Sequence, residues 1–329
     1  MHVISIYNNK GGVGKSTLTI GIAEFLASNR KKKVLIIDLD AQASSSSALL
    51  GRGAIAGAIQ RRKTIADLVD ELARTRSLLR NAADFLTVRP ASAARGTALE
   101  EISVLVPEKE RMVELEDQLD RVRDASLLRD YLKPALTDFD FVLIDTPGNV
   151  DRRCKIVVAG MVMSDFVAIP IEPHQITLHA LPETFDLIHY ARDLAGDSRP
   201  SVLGMILNKT DKRTQQYRSK LPPILEVVAK GELPPVFESF LPDTPRLATA
   251  TDETLGFHTL KERFDTYYDN VRKVARELED RCEGRIPAAP RQANRPVRPA
   301  HQRHSPAVRE SQLSLVFEEC DVMTRSIRV

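Results

Sequence analysis

The stretch "NNKGGVGKST", residues 8 to 17, decides the fold of this chain. A short apolar and β-prone segment at residues 2 to 7 precedes it, and apolar residues at helical spacing follow it in "STLTIGIAEFLASNR". A strand, a glycine-rich loop and a helix in this order predict a P-loop. In such a loop the backbone N–H groups and the positive end of the helix face bound phosphates.

The residue types in the loop suit a nucleotide and its metal ion. Glycine at positions 11, 12 and 14 lets the backbone turn and approach a ligand closely. We expect Lys15 to neutralise the β and γ phosphates and Ser16 to supply a hydroxyl to Mg²⁺. The predicted nucleotide contacts are Lys10, Gly11, Gly12, Val13, Gly14, Lys15, Ser16 and Thr17.

The loop departs from the ordinary pattern GxxxxGK[ST], because Asn9 stands where that pattern has glycine and Lys10 adds a second lysine. The sequence KGGVGKST matches the deviant Walker A motif xKGGxxK[ST]. On this motif the chain resembles the ParA/MinD family of P-loop ATPases. In that family the first lysine reaches across a sandwich dimer to the partner's ATP. The resemblance therefore implies that Lys10 is a catalytic group supplied in trans, by the logic of an arginine finger.

A second motif, "IIDLDAQAS" at residues 36 to 44, is similar to the family's DxDPQ segment, with Ala41 in place of the usual proline. The resemblance implies that Asp38 lies near the metal ion and that Asp40 positions the attacking water. An alternative is that two acidic residues at a strand end cap the helix that follows.

A third motif, "FDFVLIDTPGNV" at residues 139 to 150, resembles Walker B and a switch loop that senses the γ-phosphate. Here Asp145 would hold Mg²⁺ through water. Taken together, the resemblance implies the catalytic residues Lys10, Lys15, Asp40 and Asp145. It implies Ser16, Asp38 and Asp145 as the residues around the metal ion.

Apolar runs in "KKKVLIIDLD" and "FDFVLID", and at residues 164 to 173 and 200 to 209, read as strands covered on both faces. Helical stretches such as "TIADLVDELA" and "PETFDLIHYARDLA" separate them. This alternation predicts an α/β fold with a doubly wound, mostly parallel sheet flanked by helices. Ligands are then expected at the carboxyl ends of the strands.

The resemblance covers roughly residues 1 to 280, and we expect a ParA-like ATPase domain over 1–283 that includes a helix-rich segment, 51–135. The Pro- and Arg-rich stretch 284–310 is predicted to be a disordered linker. The last stretch, 311–329, regains apolar residues, so it is either a short docking element or an end that folds back on the domain.

Composition and cysteine usage exclude other classes of protein. With 329 residues, 43% of them hydrophobic, the chain is long enough for a large core. Its cysteines, Cys154, Cys282 and Cys320, form no CxxC pair, which argues against a disulfide framework or a cysteine metal site. The absence of a signal-peptide pattern and of an apolar run of roughly 18 to 20 residues predicts a cytoplasmic protein.

The net charge of +2 is unevenly distributed. From Arg285 onward there are 8 Lys and Arg against 4 Asp and Glu, which leaves 39 basic and 41 acidic residues before it. The body is therefore not a generally basic nucleic-acid binder, and any DNA contact must come from a local patch or from the Arg-rich tail.

One local patch follows the last predicted strand, in "LNKTDKRTQQYRSK". The candidate DNA-binding residues are Lys209, Lys212, Arg213, Arg218, Lys220 and Arg246. The alternative for each is an ordinary solvated helix face. In the same stretch Asn208 is either an adenine contact or a turn former at the strand end.

The resemblance implies a function with several components. It implies an ATP- and Mg²⁺-dependent homodimer that binds nucleoid DNA nonspecifically and partitions a plasmid, a chromosome or another cargo. A ParB-like or other adaptor protein would stimulate a weak ATPase. Two alternatives are a MinD-like membrane-surface ATPase and a nucleotide-binding regulator with little turnover. Acidic residues Glu318, Glu319 and Asp321 in the C-terminal stretch argue against stable membrane association.

Overall fold

A computed structural model describes residues 1–92, 99–173, 181–252 and 254–286. At its centre is an eight-stranded sheet with the order β3-β4-β2-β5-β1-β6-β7-β8. The strands are β1 His2–Ile6, β2 Val34–Asp38, β3 Thr87–Arg89, β4 Ile102–Leu105, β5 Phe141–Asp145, β6 Phe166–Ile171, β7 Ser201–Thr210 and β8 Val236–Pro242. Within the described ranges every pairing of strands is parallel except that of β3 with β4. The predicted doubly wound, mostly parallel sheet is confirmed.

Helices cover both faces of the sheet. They are α1 Lys15–Arg30, α2 Ser44–Gln60, α3 Ile65–Thr75, α4 Met112–Val122, α5 Lys155–Met163, α6 Leu181–Ala195, α7 Gln215–Ala229, α8 Pro245–Thr249, α9 Leu260–Phe264 and α10 Tyr268–Cys282. Apolar residues of α3 to α7 pack on one face of the sheet, whereas those of α1, α2, α9 and α10 pack on the other.

The alternation of side chains along β1 shows how one strand serves both cores. Val3 and Tyr7 face the α3 to α7 layer, whereas Ile4 and Ile6 face the layer that contains α1. All four are fully buried. A strand buried on both faces has few polar residues, which is why these strands read as continuous apolar runs.

The segment 51–135 contains most of α2 together with α3 and α4, and it also contributes two strands that the sequence analysis did not predict. Strand β4 pairs with β2, and β3 forms the antiparallel edge of the sheet. Helix α4 buries Met112, Leu115 and Leu119, and it packs against α3 and α5.

The described residues include the end of α10, after which Arg285 forms an ion pair with Asp280. The predicted linker and C-terminal segment, 284–310 and 311–329, lie outside the described residues from 287 onward, so those two assignments remain predictions. In the part of the chain that is described, no helix has both the length and the apolar character that crossing a bilayer requires.

Candidate functional site

The three sequence motifs meet at the carboxyl edge of the central strands. In the register of the sheet Asp145, the last residue of β5, pairs with Ile6 of β1 on one side and with Asp38 of β2 on the other. The glycine-rich loop leaves β1 directly beside this pair and leads into α1. Parallel pairing therefore brings residues more than 100 positions apart in sequence into one site.

The loop follows a path that two of its glycines make possible. Gly12 and Gly14 have φ angles of 79° and 82°, in the left-handed region where a side chain is strained. Space is also limiting at Gly14, where an added Cβ would overlap Asn208 Nδ2. Helix α1 begins immediately afterwards at Lys15, so its free N–H groups face the centre of the loop.

Lys15 is 6% exposed, and its Nζ donates hydrogen bonds to the carbonyls of Asn8 and Lys10, each at 3.1 Å. Burial lowers the pKa of this ammonium group, and the charges of Asp145 and Asp40 offset the effect only in part. A desolvated cation inside a loop of inward-facing N–H groups suits a polyanion. The residues present therefore fit the phosphates of a nucleoside triphosphate.

Asp38 and Asp145 are fully buried next to each other. Burial and repulsion from Asp145 raise the pKa of Asp38 to about 8, although Ser46 donates to it from its hydroxyl at 2.7 Å and from its amide at 3.0 Å. Burial likewise raises the pKa of Asp145, which accepts hydrogen bonds from the hydroxyls of Ser45 and Ser16.

Among the described residues no lysine or arginine forms an ion pair with either carboxylate. Carboxylate and hydroxyl oxygens are ligands of hard divalent cations, and Mg²⁺ typically takes only one or two protein carboxylates and keeps its water and phosphate ligands. Ser16, Asp38 and Asp145 therefore fit Mg²⁺.

Asp40 is half-buried and less constrained than Asp38. Its amide donates to Asp38 Oδ1 at 3.1 Å, and its own carboxylate accepts from the amide of Gln42 at 2.9 Å. The next turn ends at Ala43, which has a φ of 53° at the start of α2. A non-glycine residue in that conformation is uncommon, and such strain is found most often beside binding sites.

Two asparagines for which the sequence predicted no role, Asn8 and Asn9, form hydrogen bonds that fix the start of the loop. Asn8 is fully buried, donates to the carbonyl of Pro170 at 2.8 Å and accepts from the amide of Lys10 at 2.8 Å. Asn9 hydrogen-bonds to residues after β5 and at the start of α6. The doubled asparagine at the end of an apolar strand was the available signal, since a buried amide must find partners.

The structure places Asn208 behind the loop. It is 3% exposed, its Nδ2 donates to the carbonyl of Val13 at 2.7 Å, and its Oδ1 accepts from the amide of Lys209 at 2.9 Å. Asn208 therefore supports the backbone of the loop through its side chain. The adenine contact remains a prediction.

The candidate DNA-binding residues divide into two groups. Lys212, Arg213 and Arg218 are exposed around the start of α7, although Arg213 pairs with Asp211 at 3.0 Å. Lys209 is also exposed, but its ammonium group donates to the carbonyl of Gly12, and the half-buried Arg246 donates to that of Glu262. The half-buried Lys220 lies on α7, as Arg218 does. Lys212, Arg213 and Arg218 are thus the exposed cations of this set that are not bonded to the nucleotide loop, which leaves them available to a large anion.

The ammonium groups of Lys10 and Lys15 differ in their contacts, although only four residues separate the two lysines. The Lys10 amide is held by Asn8, but across residues 1–92, 99–173, 181–252 and 254–286 its Nζ has no hydrogen-bond or ion-pair partner. The side chain is half-buried. The ammonium group of Lys15 is therefore bonded to the carbonyls of its own loop, whereas that of Lys10 is not.

Sequence comparison connects this geometry with known proteins. Residues 1–198 of the 329 match the AAA_31 family, described as an AAA domain. The sporulation initiation inhibitor protein Soj of Bacillus subtilis is 26% identical over 281 residues, which cover 83% of this chain and 98% of Soj. The chromosome partitioning protein ParA of Caulobacter vibrioides is 29% identical over 216 residues, which cover 65% of this chain and 71% of that protein.

A solved structure shares the fold. The structure of pNOB8 ParA bound to nonspecific DNA aligns with a TM-score of 0.60 at 19% identity, and the alignment covers 87% of this chain and 99% of the other. The region that matches the AAA_31 family contains the glycine-rich loop and both buried aspartates. The chain therefore belongs to the AAA_31 family and is a P-loop ATPase of the ParA/MinD type.

Proposed function

We propose that this protein is an ATP-dependent dimerising switch that binds DNA without sequence preference and partitions or positions DNA or another cargo on the nucleoid. A ParB-like partner or another adaptor protein stimulates a weak intrinsic ATPase. The names of the relatives support partition, since one is a chromosome partitioning protein. The observation that carries the proposal is the difference between Lys10 and Lys15 in one loop.

Lys15 already lies in the phosphate cradle of its own subunit, so a second cation from the same loop is not needed to form that cradle. The Lys10 ammonium group has no partner among the described residues. It is therefore available to a triphosphate bound by a second copy of the chain. A cation that reaches the phosphates only after assembly stabilises charge that develops during phosphoryl transfer, and so couples hydrolysis to dimerisation.

The other residues of the site have roles that their contacts support. Bound Mg²⁺ would be held by Ser16, Asp38 and Asp145 and would neutralise charge on the phosphates. The hydroxyls of Ser45 and Ser46 keep the two aspartates oriented toward this position. Asp40 is half-buried beside them and is the carboxylate best placed to orient a water molecule.

DNA binding is supported by the pNOB8 ParA complex, which has the same fold, and by the exposed cations around the start of α7. Lys212, Arg213 and Arg218 lie within seven positions of one another, close enough to contact adjacent phosphates. Contacts of this kind are indifferent to base sequence and weaken steeply with salt.

The decisive experiment compares wild type with Lys10→Ala in ATPase activity, with and without duplex DNA, and in mass measured by light scattering at saturating ATP. We expect Lys10→Ala to lose at least about tenfold in turnover while nucleotide affinity changes by less than about threefold. The control Lys273→Ala removes an exposed lysine on α10 and should leave turnover and nucleotide affinity unchanged. Unchanged turnover in Lys10→Ala, or a wild type that stays monomeric with ATP, would overturn the proposal.

A second experiment tests the DNA surface. The triple variant Lys212→Ala, Arg213→Ala and Arg218→Ala should bind nonspecific duplex DNA more weakly. The slope of log affinity against log salt should also become shallower by about 0.9 for each DNA phosphate that the variant no longer neutralises. The matched control removes three exposed lysines elsewhere, Lys230, Lys261 and Lys273. Equal DNA binding by the two triple variants would show that this surface is not the one used.

A further inference from the structure

We propose that Asn9 is a positioning residue that ties the nucleotide loop, the loop after β5 and helix α6 into one hydrogen-bonded unit on which turnover depends. Asn9 is the residue that replaces the glycine of the ordinary P-loop pattern. The inference rests on the ATPase activity and is independent of cargo and DNA. It assigns a task to the position at which this loop departs from the ordinary pattern.

Every polar group of Asn9 bonds to a residue outside the nucleotide loop. Its amide donates to Thr184 Oγ1 at 3.0 Å, and its Nδ2 donates to Glu183, both at the start of α6. Its Oδ1 accepts from the amide of Val150 at 2.8 Å, and its carbonyl accepts from the amide of Asn149. Two bonds thus go to α6 and two go to the loop that follows Asp145.

Helix α6 holds the same loop at a second point. Arg152 donates to both carboxylate oxygens of Asp186, one of them at 2.7 Å, and its guanidinium lies 5.0 Å from the ring centre of Tyr190. Residues 183, 186 and 190 fall on one side of a helix. This side of α6 therefore binds the loop after β5 through Arg152 and the nucleotide loop through Asn9.

The two loops also touch directly. A Cβ added at Gly148 would lie 2.7 Å from Gly11 Cα and 3.1 Å from Lys15 Nζ. The hydroxyl of Thr146 donates to the carbonyl of Ile6 at 2.7 Å. The loop after Asp145 is thus in contact with the lysine of the phosphate cradle. Movement of this loop away from the nucleotide loop must break the bonds that Asn9 accepts from Asn149 and Val150.

The variant Asn9→Gly removes the side-chain hydrogen bonds of residue 9 without changing the residues that bind phosphate. It restores the ordinary pattern GxxxxGKS, so the phosphate cradle stays intact. It keeps the backbone bonds of residue 9 but removes both side-chain bonds, to Val150 and to Glu183. We expect turnover to fall about tenfold because two hydrogen bonds that position the loop are removed. Affinity for a nonhydrolysable ATP analogue should change by less than about twofold.

Exchanging the donor and the acceptor tests the hydrogen bond between Asn9 and Glu183. Asn9→Asp faces Glu183 with a second carboxylate and should lose turnover, whereas Glu183→Gln still accepts from Asn9 and should stay close to wild type. In the double variant the introduced amide donates to the introduced carboxylate, so turnover should recover to within about threefold of wild type. If the loss in Asn9→Asp does not arise from its contact with Glu183, the double variant should be at least as impaired as Asn9→Asp.

Hydrogen exchange supplies a readout that does not depend on hydrolysis. The amide of Val150 is protected by Asn9 Oδ1, so the peptide that contains it should exchange at least about tenfold faster in Asn9→Gly. The control, Asn270→Ala, removes a half-buried asparagine on α10 and should change neither exchange nor turnover.

Three results would overturn the proposal: wild-type turnover and exchange in Asn9→Gly, a loss of nucleotide affinity as large as the loss of turnover, or no recovery in the double variant. A wild type that hydrolyses no ATP would contradict the proposed function instead. The exchange measurement would still decide the role of Asn9 in that case.

Discussion

Two of the places in which the molecule buries carboxylates differ in how the surrounding residues compensate the buried charge. One place is the nucleotide edge of the sheet, with Asp38 and Asp145. The other is the start of α3, where Asp67 is 3% exposed. Burial alone therefore does not distinguish a binding site from a structural element.

At the start of α3 the chain supplies its own countercharges. Asp67 accepts from Arg111 at 2.7 Å, from Arg62 at 3.1 Å and from the hydroxyl of Thr64 at 2.8 Å, within a capping box that begins the helix. Burial acts to raise the pKa of Asp67, but the hydrogen bonds from Thr64 and Arg111 outweigh it and leave the pKa below its usual value.

At the nucleotide edge the described residues supply hydroxyls and amides but no ion-paired cation, and the pKa values of Asp38 and Asp145 are raised. Uncompensated buried charge is costly, so it persists where a ligand brings the missing charge. The direction of the pKa shift, together with the presence or absence of a protein cation, therefore distinguishes these two sites.

The largest expected effect comes from Asp145→Asn. We expect turnover to fall at least about a hundredfold, because the side chain that would hold Mg²⁺ loses its charge. The free energy of unfolding without nucleotide should not fall at about pH 7.5, since the carboxyl group that is removed is buried with no ion-paired cation among the described residues. Phosphate release and urea denaturation measure the two quantities. A variant that is both active and destabilised would place Asp145 among the structural carboxylates.

The converse variant is Asp67→Asn, which should lower the free energy of unfolding by about 3 kcal/mol, because Arg111 and Arg62 lose a buried partner. Turnover per folded molecule should be unchanged, since Asp67 lies at the start of α3. The control Asp117→Asn changes an exposed residue of α4 and should cost less than about 0.5 kcal/mol. A loss of turnover at full folding would show that the α3 network reaches the nucleotide edge.

The sequence predicts much of the fold because its strongest signals are local. Strands β1, β2 and β5 are apolar runs that end in a motif, and the spacing of apolar residues in α4 indicates the helix. Strands β3, β4 and β8 give no such signal. β3 has 3 residues and β4 has 4, and they are strands because they pair with each other and with β2. Pairing of this kind depends on distant residues that no local pattern contains.

The same limit applies to the candidate site. The glycine-rich loop and the two aspartates could be identified from their motifs, whereas the residues that orient them could not. Ser45 bonds to Asp145 across 100 positions, and Asn9 bonds to Val150 across 141. Only the folded sheet brings these pairs together. In the sequence, the run of serines around Ser45 and the pair Asn8 and Asn9 suggest hydrogen bonding, but they do not indicate which residues are the partners.

Without nucleotide and Mg²⁺, the two sites should make opposite contributions to the pH dependence of stability. The pKa of Asp38 is about 8 in the folded protein and about 3.8 in the unfolded chain, so between these values the folded state holds a proton that the unfolded chain releases. The free energy of unfolding should therefore fall as pH rises through this window. Asp67 has the opposite shift, so its contribution is lost only as pH falls below about 3.8.

Urea denaturation at about pH 5 and about pH 8 measures this dependence. The fall between the two values should be smaller in Asp38→Asn than in wild type by at least about 2 kcal/mol. Asp67→Asn should keep the wild-type fall, because Asp67 is ionised over that range in both the folded and the unfolded wild type. Identical falls in wild type and Asp38→Asn would mean that Asp38 is ionised in the folded protein.

The smallest expected effect concerns an uncharged residue at the nucleotide edge. Asn208→Ala removes two hydrogen bonds, one donated to the carbonyl of Val13 and one accepted from the amide of Lys209, and should lower the free energy of unfolding by about 1 to 2 kcal/mol. Nucleotide affinity should fall only a few-fold, because the residue acts through the backbone of the loop. Calorimetric binding of an ATP analogue and of the triphosphate group alone distinguishes the two roles of Asn208. A role behind the loop weakens both ligands equally, whereas an adenine contact weakens only the ATP analogue.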